Sequence, residues 1–400
     1  MDTDLVRLLS KRFMADPYPV LAHLREHHAA VPVENGGFRM WLITRHEDAR
    51  ALLADSRLTV DLVKHRHRVV GQSLVDIERR AKLPHQIRRG ILQQDGPNHR
   101  RMRNLVARRL APARLHWSRP WLENLARELL DALPAGEPID VVAAYARPMA
   151  VAFVSELTGV PPGLREGFPV WETALLTAPS KTEVEEAARQ LQAFAGEMIE
   201  LKREQPGDDL FTDLVRAHAA GELDDDELVS MIPFLLTAGS EPASLISNGV
   251  LVLLSHPEEL ARLRAEPGLM AACVEEVLRF ESPFRMLVPR FTGHPIELDG
   301  VTIPAGELLL ISAGSAGRDP ARFPDPDRFR ITRDAKGHLG FGHGLHRCLG
   351  AEVGRLQTAI ALSTLFARYP GTVLAATTED VRWRPGMFMR RLDALPVILR

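Results

Sequence analysis

Cysteine is almost absent from this sequence: Cys273 and Cys348 are the only two in 400 residues. That excludes a disulfide framework and makes a reducing cytoplasm the expected setting. No CxxC pair, no HExxH and no second cysteine near either thiol leaves zinc and iron–sulfur clusters without ligands. No strand–GxGxxG–helix unit marks a nicotinamide or flavin site. Net charge is only −2, so nothing drives the whole chain onto nucleic acid or an anionic membrane. Charges interrupt the opening stretch at Asp2, Asp4, Arg7, Lys11 and Arg12, and neither a signal peptide nor a membrane span is expected. Repeats, linkers and low-complexity segments are missing as well. What is present is ordinary globular composition, 45% hydrophobic and 26% charged. It reads as one domain over residues 1–400, mainly α with small β-sheets (α+β).

Residues 31–44, VPVENGGFRMWLIT, read as a hairpin turning on Asn35-Gly36-Gly37. HEDARALLAD (46–55) reads as a short amphipathic helix with its acids near the start. Residues 227–257 are apolar almost all round, the pattern of a buried central helix, interrupted at Pro233, Glu241 and Pro242. A further helix is expected over 267–280, then a β-rich stretch over 284–312 with a turn at Asp299-Gly300. A proline-punctuated segment (318–329) leads to FGHGLHRCLG (341–350), and residues 351–369 form an amphipathic helix.

The cysteine loop carries the chemistry. A thiol at the start of a helix, near His346, Arg347 and Arg355, is held toward its metal-binding thiolate form. Gly342, Gly344 and Gly350 remove side chains, so a flat partner can approach the backbone. Backbone N–H groups around the sulfur would tune its electron donation. A haem iron with a proximal cysteinate uses all of these together. Cys273, inside an apolar helix, reads as an inert core residue.

The pattern Phe341-Gly-x-Gly-x-His346-x-Cys348-x-Gly350 resembles the cytochrome P-450 family, the haem-thiolate monooxygenases. Glu276 and Arg279 look like the family's Glu-x-x-Arg pair, with Arg328 as the expected third partner. His99 and Arg103, four apart on one helical face, resemble the family's propionate-holding pair, and Arg290 and His346 match two further propionate ligands. The resemblance implies the P-450 fold, with haem b between a long central helix and the cysteine-loop helix, and Cys348 as iron ligand. It implies a soluble monooxygenase-type oxidoreductase acting on a small organic substrate, in hydroxylation or another tailoring step of specialised-metabolite biosynthesis. Ferredoxin and ferredoxin reductase are the implied electron donors.

One departure stands out. Where the family carries Ala-Gly-x-Glu/Asp-Thr-Thr, this chain has Ala238-Gly239-Ser240-Glu241-Pro242-Ala243-Ser244, one residue short and without the threonine. Ala238 and Gly239 fall where the family has them, over the haem. Pro242 should kink the helix. Either Glu241, Ser240, Ser244 or water carries protons to oxygen, or the chemistry is atypical: peroxide-driven oxidation, coupling, nitration or desaturation. A non-catalytic haem sensor is the alternative from another class.

Cations in 61–90 (Lys64, Arg66, Arg68, Arg79, Arg80, Lys82, Arg88 and Arg89), with Arg285 and Arg390, suggest an anionic or carrier-bound substrate, although a solvated basic helix face is the simpler explanation of the first group. Met286, Leu287, Met387, Phe388 and Met389 would form an apolar pocket wall. Arg101, Arg108, Arg109 and Arg114 form a basic patch suited to an acidic ferredoxin.

Overall fold

The computed structural model describes residues 10–35, 38–61, 89–165, 181–375, 377 and 381–400. In chain order its principal elements begin with α1 (Lys11–Ala15), α2 (Tyr18–His27), β1 (Val31–Asn35), β2 (Phe38–Ile43), α3 (His46–Ala54) and β3 (Leu58–Thr59). Next come α4 (Gly96–Arg109), α5 (Ser118–Asp131), β4 (Pro138–Asp140), α6 (Arg147–Thr158), α7 (Lys181–Glu204) and α8 (Leu210–Ala219). The central pair is α9 (Asp225–Ser240) and α10 (Pro242–Ser255), followed by α11 (Pro257–Ala265) and α12 (Met270–Phe280). Strands β5 (Arg290–Thr292), β6 (Ile296–Leu298), β7 (Val301–Ile303) and β8 (Leu308–Ile311) precede α13 (Ala313–Gly317) and α14 (Ala351–Arg368). The described chain closes with β9 (Val373–Leu374) and β10 (Pro396–Ile398). Two compact units result: Met1–Ser73 with Arg119–Met149 and Pro242–Arg400, and Leu74–Ser118 with Ala150–Glu241.

The first unit holds a five-stranded sheet in the order β1-β2-β8-β5-β3. β2 runs parallel to β8 and the other pairings are antiparallel. β8 reads Leu-Leu-Leu-Ile and is buried throughout, as a strand covered on both faces must be. The expected hairpin at 31–44 is present as β1 and β2, although its Gly36-Gly37 turn lies outside the described residues. Asp299 and Gly300 both take positive φ, 46° and 79°, and close the two-residue turn between β6 and β7. In α10 every residue from Ser244 to Leu253 is buried. Residues 225–255 are long and apolar enough to cross a membrane by length and composition, yet the burial in α10 is that of a core helix.

The deepest charges of this unit belong to Glu276 and Arg279, both fully buried. Arg279 uses all five of its N–H groups. Nε and one Nη2 hydrogen go to the Glu276 carboxylate at 2.7 and 2.8 Å. The rest go to the carbonyls of Gly317 and Pro326, both at 2.7 Å, and of Arg328 at 3.3 Å. The third side chain is Arg333, whose Nε donates to Glu276 Oε1 at 3.2 Å. This corrects the expectation for Arg328, whose side chain is exposed and which contributes only its carbonyl.

Arg285 and Arg390 require a second correction. Both are buried, and both anchor the N-terminal segment. Arg390 donates to Glu281 at 2.5 Å and to the carbonyls of Met14 and Ala15, and it stacks 3.7 Å over the Trp383 ring. Arg285 donates to the Gly386 carbonyl and lies over Phe13. Burial, then the neighbouring Arg390, lowers its pKa to about 10. Arg390 is spent on Glu281 and so lends no support to an anionic substrate, whereas Arg285 is fixed by a backbone carbonyl and keeps Nε and Nη1 buried without a hydrogen-bond partner among the described residues. The basic stretch 62–88 lies outside the described residues.

The second unit is helical. Asp224 and Glu227 make a reciprocal capping box at the start of α9. Arg101 joins it, donating to Glu227 at 2.6 and 3.0 Å. Arg109 is buried and bridges Asp208 and Asp213, each at 2.8 Å. Arg108 and Arg114 are exposed but lie 3.8 Å from Glu222 and 3.6 Å from Asp208. The expected basic patch is thus largely neutralised, because carboxylates flanking α8 and α9 face it.

Glu276→Ala leaves the Arg279 guanidinium without its carboxylate in a dry core and takes one partner from the half-buried Arg333, at a cost of about 3–5 kcal/mol. We expect insoluble or thermally labile protein. A wild-type melting temperature for purified Glu276→Ala would contradict this account.

Candidate functional site

Cys348 is exposed and sits two residues before Gly350, the N-cap of α14. Its backbone N–H donates to the Phe341 carbonyl at 2.8 Å, closing the loop. Two glycines have local reasons beyond access for a ligand. Gly342 and Gly344 take φ of 69° and 71°, and a Cβ on Gly344 would lie 2.4 Å from the Leu53 carbonyl oxygen. Gly350 has open space where its Cβ would be. Leu345, on the same loop, is one of two large hydrophobic side chains exposed among the described residues. His343 has its pKa lowered by burial and then by Arg50, Arg347 and His46, the mark of a locally cationic loop.

Arg355 plays a different part from the free cation expected beside the sulfur. Its Nε and Nη2 clasp Glu275 at 2.6 and 3.0 Å, and its Nη1 reaches Glu352 at 2.8 Å. Burial pushes the Glu275 pKa up, but hydrogen bonds from His338 and Arg355 outweigh it and hold the group down at about 2. Cys273, by contrast, is buried, and its thiol is pushed up to about 12 by burial and by Glu276 and Glu259.

Arg290 begins β5, opposite Leu309, and is buried; His346 closes a short 3-10 turn, Gly344–His346, and is half-buried. Ser244 is buried in the first turn of α10. The first unit therefore brings Phe341, Gly342, His346 and Cys348 into one loop, with Arg290 on the sheet. In the second unit His99 is buried on α4 and Arg103, half-buried, lies one turn further along the same face.

The helix break expected at Pro242 is present. α9 ends at Ser240, Glu241 keeps helical angles (φ −62°, ψ −27°), and Pro242 opens α10. Pro242 has no N–H to give the carbonyl of Ala238, four residues back. Ala238 is exposed, while Glu241 and Ser240 are half-buried. Ser240 Oγ donates to the Thr237 carbonyl at 2.9 Å. A Cβ on Gly239 would stand 2.2 Å from Val154 Cγ2, so this glycine serves the packing of α9 on α6.

The donor set fits a haem. No group of three His, Cys, Asp or Glu side chains among the described residues could hold a bare metal ion. A single exposed thiol therefore suits an iron whose other ligands come from a macrocycle. An exposed leucine beside that thiol, and the buried Arg290 on β5, suit the apolar ring and a carboxylate of such a group. Sequence reasoning missed Glu275, His338 and Arg333; ion pairs across tens of residues leave no local spacing to read.

Gly239→Ala should destabilise the protein by about 1–3 kcal/mol through overpacking, and Val154→Ala in the same chain should restore most of the loss. Denaturant unfolding of the single and double variants checks this; an unrescued double variant would place the strain elsewhere.

Comparison with known proteins agrees with this geometry. The family model described as Cytochrome P450 matches residues 166–390. The 6-deoxyerythronolide B hydroxylase of Saccharopolyspora erythraea is 37% identical over 408 residues, covering 99% of each chain. The tirandamycin C-bound P450 monooxygenase TamI superposes with a TM-score of 0.90 at 34% identity, over 98% of this chain and 99% of the other. P450BioI, solved with an acyl carrier protein bearing hexadec-9Z-enoic acid, superposes with a TM-score of 0.86 at 33% identity, over 97% and 100%. With identity of this level running the whole length of the chain, and a cysteine loop of the kind described, the chain belongs to the cytochrome P450 family, the haem-thiolate oxidoreductases.

Proposed function

We propose that this protein is a monooxygenase that tailors a largely apolar specialised metabolite by hydroxylation or a related oxidation, working as one functional domain in the cytoplasm. The observation that carries the reading is Cys348: an exposed thiol at a helix start, its amide anchored to Phe341. In it Cys348 ligates the iron of haem b, and His99, Arg103, Arg290 and His346 hold the propionates. Haem supplies the capacity to activate oxygen and to exchange single electrons.

The protein's own residues do the rest. Cys348 donates electron density, and the loop's N–H groups limit how much. Met286 and Leu287 are buried, while Met387, Phe388 and Met389 are half-buried on the opposing segment. The Phe284–Met389 bridge and the bond from Met286 N–H to the Phe388 carbonyl at 3.1 Å hold these two segments together. Flexible methionines on such a wall suit an apolar, irregular substrate. The named ligands of the relatives, 6-deoxyerythronolide B and tirandamycin C, support the same class. The carrier complex of P450BioI supports a carrier-bound substrate as a variant of it. Electrons come from a ferredoxin and its reductase, with Arg108 and Arg114 as the exposed cations of α4 and the turn after it.

Proton delivery is the unusual step. With no threonine present, Glu241 holds the proton and Ser240 and Ser244 relay it, beside an Ala238 carbonyl that Pro242 cannot bond.

The ligation is tested by Cys348→Ser and Cys348→His. Each should abolish the red-shifted ferrous carbonyl band that thiolate ligation gives, and an unchanged spectrum in either refutes the assignment. The proton route is tested by Glu241→Gln, which should lower product formed per electron consumed and raise peroxide release without loss of haem. Equal coupling in both proteins, under reductant-driven and peroxide-driven turnover, would make Glu241 structural.

A further inference from the structure

One carboxylate ties together the two ends of the cysteine loop. Glu275, on α12, receives the Arg355 fork from the helix that follows the loop. Its Oε2 also lies 3.1 Å from His338 Nε2, on the strand of chain that enters the loop. The His338 ring is oriented by its other nitrogen: Nδ1 accepts the Gly340 N–H at 3.0 Å, so the network assigns the proton to Nε2. Between these two anchors lies Phe341. Its ring carries the Arg355 guanidinium at 4.8 Å, Gly354 packs against the ring edge, and its carbonyl takes the Cys348 N–H. Arg355 and Glu275 are each only about a quarter exposed, so their charges are incompletely screened.

Resting on the reading of Cys348 as iron ligand, we propose that Glu275 is a positioning residue for that ligand. It clamps the loop through His338 and Arg355, and its charge cancels the guanidinium that lies over Phe341. The sulfur is then held in place by a cation whose field is largely neutralised, and the carboxylate sets how electron-rich the thiolate stays.

The charge part makes a signed prediction. Reduction of the haem adds a negative charge, so deleting a nearby carboxylate favours it and deleting a nearby guanidinium opposes it. Glu275→Gln should move the midpoint potential of the holoenzyme to more positive values, and Arg355→Gln to more negative values. E275Q/R355Q should lie near wild type. A purely structural clamp would move both single variants in one direction, and the double further still. The measurement is spectroelectrochemical titration, with the ferrous carbonyl spectrum of each sample recorded alongside. A wild-type carbonyl band without the thiolate signature would remove the ligand assignment and this proposal with it. A normal signature with unmoved or same-sign potentials would overturn the proposal alone. Should Glu275→Gln fail to retain haem, the comparison of Arg355→Gln with the double variant still decides: the double leaves no unpaired buried charge, because Glu352, which also loses Arg355, is exposed and common to both. A double variant at the potential of Arg355→Gln refutes the compensation.

Discussion

A carboxylate without access to water, that of Glu276, is the constraint around which the first unit is arranged. An ionised group in such a place is tolerated only when its lone pairs are filled by donors of matching charge. Here the donors are Arg279, Arg333 and the backbone N–H of Arg330. The demand propagates. Once Arg279 is held by Glu276, its remaining N–H groups fix the carbonyls of Gly317, Pro326 and Arg328, and Arg333 collects those of Pro324, Asp325 and Arg328. A stretch with almost no regular secondary structure between α13 and the cysteine loop thereby acquires one course. Gly317 belongs to the same constraint, because a Cβ there would lie 2.3 Å from the Arg279 carbonyl oxygen. The neighbouring residue, Glu275, faces the other way and anchors the loop itself, so α12 supports the thiol from two adjacent positions.

Arginine is used throughout as an internal connector. Arg318 lies 3.5 Å over the Tyr18 ring and donates to the Phe280 carbonyl; Arg390 reaches Glu281, Met14 and Ala15; Arg25 reaches Ser315. The planar fork of arginine offers five donors in fixed directions and so reaches separate acceptors at once, where lysine offers three donors from a single point. Asn248 on α10 adds to the same region, donating to the carbonyls of Glu281 and Arg390. The segments 283–287 and 386–390 are therefore held from the N-terminal helices on one side and from the central helix on the other. The proposed methionine-rich wall thus rests on a polar base of several hydrogen bonds.

This explains which features were legible in the amino-acid sequence. Asp299-Gly300 could be read because a two-residue turn needs positive φ from its own residues. The cysteine loop and α14 could be read because glycine spacing and apolar periodicity are local properties. Arg333 could not be told from Arg328, nor the buried Arg109 from the exposed Arg108, because the choice depends on carboxylates distant in sequence. The Arg355 partner is 80 residues away. Charge counted along the chain overstated the basic surface for the same reason: Arg101 and Arg109 look like surface cations until Glu227, Asp208 and Asp213 are brought against them.

The break between α9 and α10 combines both kinds of information. The missing Cβ of Gly239 is what lets α9 approach Val154 of α6. That packing orients the helix so that Ala238, next to it, remains exposed. Three residues further on, Pro242 removes the N–H that would have bonded the Ala238 carbonyl. The proline thereby leaves a backbone acceptor, the Ala238 carbonyl, without its usual helical donor. A main-chain carbonyl can accept a proton-bearing partner but cannot release a proton of its own. Any relay through this point therefore needs a titratable side chain beside it, and Glu241 is the one that the sequence supplies there.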